Sequence, residues 1–287
     1  MSDQEWLSWR RQGIGSSDAA VLINGSHFGK TPHKLYWEKI SDEIVDEDNV
    51  AMRHGRQHEE AALDWFENTM DCVLFRQIQS VSKGKEWIRA TIDGLDMEGQ
   101  YLVEAKCPYN LENHHRVKRS REVPPIYYPQ CQHLMIVRNT EYMYFESFNH
   151  QDPSDSIIIR VERDQKYIEK SLEIYEKFWN CVKNKTPPPL SEEDYVPMDS
   201  DKSWKQLSAQ VLKIRKQKKA LEEKEQMTIE SLKSLSQGQS AKGHGISLQK
   251  QICVGPIDYS IIPELKGVDT TQYRKNSFEK WTLRAIK

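Results

Sequence analysis

The sequence predicts an α/β fold over roughly its first two thirds and a separate helical and β appendage beyond. Three observations carry this. Strand-like apolar runs fall at 73–78, 87–92, 101–105, 141–148 and 156–161, interleaved with segments of helical spacing. Thr186-Pro187-Pro188-Pro189 then makes a stiff, extended break. Past it, Leu207, Val211, Ile214, Leu221, Leu232 and Leu235 recur in a heptad-like pattern whose remaining seam positions are Lys218, Glu225 and Thr228. That pattern predicts one long helix or a helical hairpin, and the polar seam residues argue against a strict coiled coil. The expected organisation is a domain over 1–186, a Pro-rich linker over 187–198 and an extension over 199–287.

Each element has its own signal. Ser16 to Asp18 precede the apolar run Ala19-Ala20-Val21-Leu22-Ile23 as a helix start, and Thr31-Pro32 opens a second helix with Leu35, Tyr36 and Ile40 on one face. Residues 42–49 are acidic and read as a solvated loop. Over 51–69, Ala62, Leu63 and Phe66 keep helical spacing, with Glu59 one turn before Leu63. The runs at 73–78, 87–92 and 101–105 form an antiparallel meander, the last two joined by the turn-rich Asp93-Gly94-Leu95-Asp96-Met97-Glu98-Gly99. Residues 114–121 read as a basic loop, and 126–137 as a helix broken near its start by Pro129. A helix over 164–184, carrying Tyr167, Leu172, Tyr175, Phe178 and Val182, closes the domain, and strand-like runs at 245–254 and 281–286 end the chain.

Composition narrows the class. The 287 residues hold 41 Lys+Arg against 43 Asp+Glu, a net charge of −2, and 37% apolar residues. This describes a soluble globular protein and excludes a polycation that coats nucleic acid indiscriminately. No stretch approaches the roughly 18 apolar residues of a membrane span, and Met-Ser-Asp-Gln-Glu-Trp has no apolar run of a signal peptide, so a cytoplasmic protein is expected, in the host cytoplasm if phage-encoded. Cys72, Cys107, Cys131, Cys181 and Cys253 contain no CxxC pair, which points to reduced thiols and away from disulfide frameworks or zinc and iron–sulfur cages. Positive charge is nonetheless clustered: between 205 and 219 there are six basic residues and no acidic one.

The chemistry centres on Asp93-Gly94, nine intervening residues, and Glu104-Ala105-Lys106. Strand alternation projects Glu104 and Lys106 from one face, and a hairpin partner brings Asp93 beside them. Two carboxylates suit Mg²⁺, which leaves room for phosphate oxygen, and Lys106 can orient or activate a nucleophile. Taken alone, the pattern reads equally as a surface salt bridge. The ExK triplets Glu222-Glu223-Lys224 and Glu264-Leu265-Lys266 lack an Asp-Gly at hairpin distance before an apolar strand. Taken alone too, Arg10 is a surface cation, Ser17 a helix cap, and Glu59 an exterior carboxylate paired with Arg56. His54, His58, His114, His115 and His133 show no compact ligand spacing and read as surface or DNA-proximal, while Trp6, Trp9 and Trp65 read as core.

Further motifs occur in a fixed order: Trp6-x2-Trp9-Arg10, Gly13-Ile14-Gly15-Ser16-Ser17-Asp18, Gly55-x3-Glu59-x2-Ala62, Asp93-Gly94, Glu104-Ala105-Lys106-Cys107-Pro108, Tyr128-Pro129-Gln130-x-Gln132 and Val161-Glu162-Arg163-Asp164-x2-Tyr167. The ordered set, over about residues 5–185, resembles the YqaJ-like viral recombinase or phage lambda exonuclease family within the PD-(D/E)xK nuclease superfamily. The resemblance implies a PD-(D/E)xK nuclease core, a mixed central sheet flanked by helices, with the C-terminal helical and small β appendage added to it. It implies a 5′ to 3′ exonuclease that degrades one strand of linear double-stranded DNA and leaves 3′ single-stranded tails for phage-type recombination.

Residue by residue, the resemblance makes Asp93, Glu104 and the Ala105 carbonyl ligands of Mg²⁺, with Mn²⁺ as an alternative. It gives Glu59 to a second ion, Lys106 to positioning the water, and Gln130 to the active-site glutamine. Arg10, or Arg11 one residue on, and Ser17 match the pocket for the 5′-terminal phosphate. Arg116, Lys118 and Arg119 are candidates for DNA phosphates. Partners by resemblance are linear duplex DNA, a single-strand annealing protein and further copies in a ring-shaped homotrimer. The tail Pro263-Glu264-Leu265-Lys266-Gly267-Val268-Asp269 resembles one found in some phage members and carries no assigned role. Other readings are a structure-specific or nicking endonuclease using the same metal site, and a non-catalytic module that binds DNA ends.

Overall fold

Five strands build one mixed sheet. β1 (Leu74–Ser82), β2 (Lys85–Asp96), β3 (Leu102–Lys106), β4 (Tyr142–Ser147) and β5 (Ile157–Glu162) lie side by side in chain order, antiparallel except for the parallel pair β3/β4. The computed structural model describes residues 3–41, 49–251 and 262. Helices α1 (Asp3–Arg11), α2 (Ser16–Asn24), α3 (Pro32–Ile40) and α4 (Val50–Met70) precede the sheet. A parallel pair needs a crossover, and α5 (Leu111–Ser120) with α6 (Tyr128–Arg138) supplies it. α7 (Gln165–Lys183) follows β5, capped by the Asp164 carboxylate, which accepts from Tyr167 N at 3.0 Å.

Strand alternation sorts the core into two clusters. Leu102, Phe145, Ile88 and Ile92 pack with Val21 of α2, Leu134 of α6 and Tyr175 of α7. Val103, Ala105, Cys107 and Phe148 pack with Ala62, Leu63 and Phe66 of α4. The expected meander is the β1–β2–β3 part of the sheet, but Asp93 to Asp96 continue β2, and the turn is confined to residues 97–101. Gly94 makes this continuation fit. A Cβ there would stand 2.8 Å from Leu74 Cδ1 and 3.2 Å from Val103 Cβ.

Two further expectations are corrected. The basic stretch 114–121 is helical, with α5 ending at Ser120, because His114 and Val117, one turn apart, are both buried beneath its charged face. Pro129 does not break a helix, since it lies in the first turn of α6, where the missing N–H has no intrahelical acceptor to lose. The loop read at 42–49 has residues 42–48 outside the described residues, as do the Pro263–Asp269 motif, Cys253 and the 281–286 run.

The chain divides into two units, residues 1–195 and 196–287. In the first, the residues after the triple proline lie against the α2–α3 segment. His33 Nδ1 bonds Pro188 O at 2.9 Å, Thr31 Oγ1 donates to Asp194 Oδ1 at 2.5 Å, and Ser26 Oγ donates to Glu193 Oε1 at 2.9 Å. In the second, α8 (Lys202–Leu235) is a single helix with Leu207, Ile214 and Leu221 exposed, followed by the short hairpin β6 (Ala241–Gly243) and β7 (Ile246–Leu248). Among the described residues no helix is long and apolar enough to cross a membrane.

Gly13 joins the N-terminal segment to the sheet. Ile14 bridges to Ile88 in parallel, its N–H donating to Trp87 O at 2.6 Å while its carbonyl accepts from Arg89 N at 3.0 Å. A Cβ on Gly13 would collide with the Trp87 carbonyl, which is backbone and cannot swing away. We therefore expect Gly13→Ala to cost about 1–3 kcal/mol. Gly55→Ala, inside α4 with no atom within 4 Å of the new Cβ, should instead stabilise by up to about 1 kcal/mol. Urea unfolding of the two variants checks both signs.

Candidate active site

β3 supplies Glu104 and Lys106 from one face, and α6 reaches them with its first turn. Glu104 is 2% exposed, and its Oε1 accepts from Gln130 Nε2 at 2.5 Å and from Lys106 Nζ. Asp93 approaches from β2, where its Oδ2 accepts from Ala105 N at 3.0 Å. That bond replaces a ladder bond, because β2 and β3 pair only at Gly94↔Val103 and Leu95↔Leu102. From α4, Glu59 accepts a hydrogen bond on Oε1 from Gln77 Nε2. Gln77 lies in β1 with φ +52°, between the pairs Arg76↔Gly94 and Ile78↔Ile92. A left-handed, non-glycine residue inside a strand is strained, and here the strained residue holds a carboxylate of the cluster.

The electrostatics are those of too many carboxylates. Burial, then Glu104 and Glu59, holds the Asp93 carboxyl well above the usual carboxylate range. Burial and Glu104 push Glu59 up as well. Burial works against the charge of Lys106, but Glu104 and Asp93 outweigh it and raise the ammonium above its ordinary value. Glu146, on β4 in register with Ala105, adds a fourth carboxyl that burial and Asp93 push up to about 9. Glu104, Glu59 and Asp93 are drawn into bonds to Lys106, Gln130, Gln77 and Ala105, and no three His, Cys, Asp or Glu side chains stand ready around one point among the described residues. The donor set itself, hard oxygens in excess over a single ammonium, fits a divalent cation such as Mg²⁺.

A second polar centre forms at the start of α2. Arg10 Nη2 donates to Ser17 Oγ at 2.5 Å and lies 3.7 Å from Asp18 Oδ1. Buried Lys39 reaches Asp18 Oδ2 at 2.6 Å, and the same oxygen accepts from Gly15 N at 2.9 Å. Burial opposes ionisation of Asp18, yet Lys39 and Arg10 hold its carboxyl down to about 2. Two cations and a helix N-terminus against one carboxylate leave a positive balance at Arg10 and Ser17. Arg10, stacked at 5.2 Å over the Trp6 ring, is the arginine that meets Ser17.

The structure thus brings Glu59, Asp93, Glu104, Lys106 and Gln130 together, and separately Arg10 and Ser17. Arg116, Lys118 and Arg119 lie exposed on α5 outside both networks, Lys118 paired with Asp155 and Arg119 with Glu112 at 2.8 Å. Two histidines expected at the surface are in the core. His114 is fully buried, with Nδ1 2.9 Å from Ser147 Oγ, and His133 is fully buried, with Nε2 3.0 Å from Arg89 O. His54 and His58, one turn apart on α4, meet His150, with ring centroids 4.4 to 4.9 Å apart, a contact hidden in sequence because His150 follows β4. Trp6, Trp9 and Trp65 are half-buried at the core margin. Gln77, Lys39 and Glu146 were not legible as site residues. The one signal for Glu146 was a carboxylate placed between Tyr144 and Phe148 in an apolar alternation.

A mixed sheet with the carboxylates and lysine where two strands part defines the PD-(D/E)xK-like α/β nuclease fold. Residues 5–142 match the model of the YqaJ-like viral recombinase domain. The uncharacterized protein YqaJ of Bacillus subtilis (strain 168) is 29% identical over 187 residues, which are 63% of this chain and 56% of that protein's length. In fold, the chain is similar to the alkaline exonuclease LHK-Exo of Laribacter hongkongensis, with a TM-score of 0.55 and 21% identity over 64% of this chain and 94% of the other. The complex of LHK-Exo with dAMP gives a TM-score of 0.56 at the same identity and coverage.

Because the Asp18 carboxyl is depressed in the folded chain, its contribution to stability is full above about pH 4 and is lost as pH falls toward 2. Asp18→Asn leaves Lys39 buried without its counter-ion, so we expect a loss of about 3–5 kcal/mol at neutral pH. The variant should also show a flatter loss of stability between about pH 4 and pH 2 than the parent. Urea midpoints across that range check this, and parallel acid limbs would refute it.

Proposed function

We propose that this chain is a divalent-metal-dependent exonuclease that degrades one strand of linear double-stranded DNA from a 5′-phosphorylated end and leaves a 3′ single-stranded tail. The observation that carries the reading is the joint presence of two centres in one unit: a carboxylate-rich cluster with one lysine, and a cationic helix start at Arg10 and Ser17. The match of residues 5–142 to the YqaJ-like viral recombinase domain and the fold similarity to an alkaline exonuclease support the same reading.

In this proposal Asp93, Glu104 and the Ala105 carbonyl hold Mg²⁺ or Mn²⁺, and Glu59 holds a second ion. Such ions lower the pKa of water and offset charge on the scissile phosphate. The chain's own groups do the positioning. Gln130 fixes the Glu104 carboxylate through Nε2, and Glu104 in turn fixes Lys106 Nζ. Lys106, kept as an ammonium by its carboxylates, acts as a hydrogen-bond donor and orients the attacking water and the phosphate without removing a proton. Gln77 keeps Glu59 turned into the cluster. At the other centre, the Arg10 guanidinium and the Ser17 hydroxyl exchange their mutual bond for the 5′-phosphate, while Asp18 and Lys39 hold Arg10 and the helix start in place. In the same proposal Arg116, Lys118 and Arg119, exposed on α5, meet the DNA backbone. A ring-shaped homotrimer on DNA and a single-strand annealing partner belong to the same proposal.

The test uses linear duplex DNA carrying a 5′-phosphate on one strand only, each strand labelled distinctly. With Mg²⁺ we expect selective loss of the phosphorylated strand from its 5′ end, no loss in EDTA, and a rate for Lys106→Ala lower by about 100-fold or more. Arg10→Ala should remove the preference for the phosphorylated strand while leaving slower degradation of both. Internal cuts, or cleavage of closed circles, would establish the endonuclease instead, and binding without degradation would leave a DNA-end-binding module.

A further inference from the structure

Glu146 occupies a core position. Two residues to either side of it, Tyr144 on β4 and Phe148 just past the strand's end both pack against the α4-side cluster of Ala62, Leu63 and Phe66. Glu146 is 0% exposed, and neither of its carboxyl oxygens has a hydrogen-bond partner among the described residues. A buried polar group is normally paired, and an orphaned carboxyl calls for a ligand or a function. Its surroundings narrow the choice. In the β3/β4 register it stands beside Ala105, whose methyl group leaves room, and the ionisable groups it faces are Asp93 and Cys107. Neither brings a positive charge. Lys106 leaves β3 on the opposite face, where Glu104 engages it.

We infer that Glu146 is a fourth carboxylate of the divalent-cation site, facing it from the α4 side of the sheet across Ala105, and that it sets the affinity of that site for hard cations. The inference rests on the metal-dependent reading above. A cation beside Asp93 supplies the counter-charge that no side chain gives Glu146, and oxygens left unpartnered by the protein are free to serve it, directly or through water. The competing account is a carboxyl buried for packing alone. In that case an apolar residue of similar volume would serve as well or better, and cation binding would not change.

The experiment is calorimetric titration of the full chain, without DNA, with Mg²⁺ and separately with Mn²⁺. The proteins are the parent, Glu146→Gln, Glu146→Met and, as a marker for the site, Asp93→Asn. Variants with the parent's circular dichroism are expected to bind at least about tenfold more weakly at position 146, the range found when groups supporting metal ligands are removed. Affinities of both position-146 variants within twofold of the parent, with binding lost in Asp93→Asn, would overturn the inference and leave the metal-dependent reading intact. A parent that binds neither ion would take that reading down with it. Should neither variant fold, the parent still decides. With glutamate labelled ¹³C at the side-chain carboxyl, Mg²⁺ should shift three resonances, those of Glu59, Glu104 and Glu146, and a shift of two would overturn the inference.

Discussion

The candidate site depends on the parting of β2 from β3. The two strands pair only at Gly94↔Val103 and Leu95↔Leu102, and at the next position the Asp93 carboxylate accepts the Ala105 N–H that a β2 carbonyl would have taken. The backbone donor is still satisfied, so the strands open without leaving a buried N–H unpaired. Gly94 permits the opening. With Leu74 on one side and Val103 on the other, any side chain there would push the strands into a different spacing and carry Asp93 away from Ala105. The parted edge sets the Asp93 carboxylate against the Ala105 N–H, beside the Glu104 carboxylate one residue back along β3.

Each face of the sheet then contributes its own support. On the α6 side, Glu104 is buried because Gln130 and Lys106 both donate to it, and Gln130 is in reach because Pro129 lets the helix begin immediately before it. On the α4 side, Glu59 is steadied by Gln77, whose left-handed backbone is tolerated in mid-strand opposite Asp93. The first face supplies a rigid lysine–carboxylate pair. The second holds carboxylates with little to neutralise them.

How far this was readable in the sequence follows from the range over which each feature is encoded. Helices with a capping residue and an apolar stripe, such as α4 and α7, are local and were legible, as were the five strand runs along the chain and the meander of the first three. Asp93, Glu104 and Lys106 were legible because alternation and hairpin distance are also local. The end of β2 was misread because Asp-Gly is strong turn chemistry, and only packing under Leu74 and Val103 keeps those residues extended. α5 was misread because five charged or histidine side chains, Glu112, His115, Arg116, Lys118 and Arg119, obscure its two buried positions, His114 and Val117. Gln77 and Lys39 carry no local pattern, and Glu146 only that of a carboxylate in an apolar alternation. Their partners Glu59, Asp18 and Asp93 lie in other elements, so their roles exist only after the sheet has formed.

The two centres are unbalanced in opposite directions, and that asymmetry constrains what the molecule can bind. Around Asp18, Arg10 and Lys39 with the start of α2 outweigh one carboxylate, and only Arg10 and Ser17 retain accessible surface for an anion, since Lys39 and Asp18 are spent on each other in the interior. Around Asp93, Glu59, Glu104 and Glu146 outweigh Lys106, and burial raises the cost of ionising Asp93, Glu59 and Glu146. A ligand carrying charge of one sign would relieve one centre and aggravate the other. Under the proposed function, a phosphorylated strand end arriving with cations would do neither harm: its terminal phosphate would answer Arg10, and the ions that accompany its next phosphodiester would answer the carboxylates. Such a strand with divalent metal would relieve both imbalances together, whereas a free phosphate, a free cation or a neutral polymer would relieve at most one.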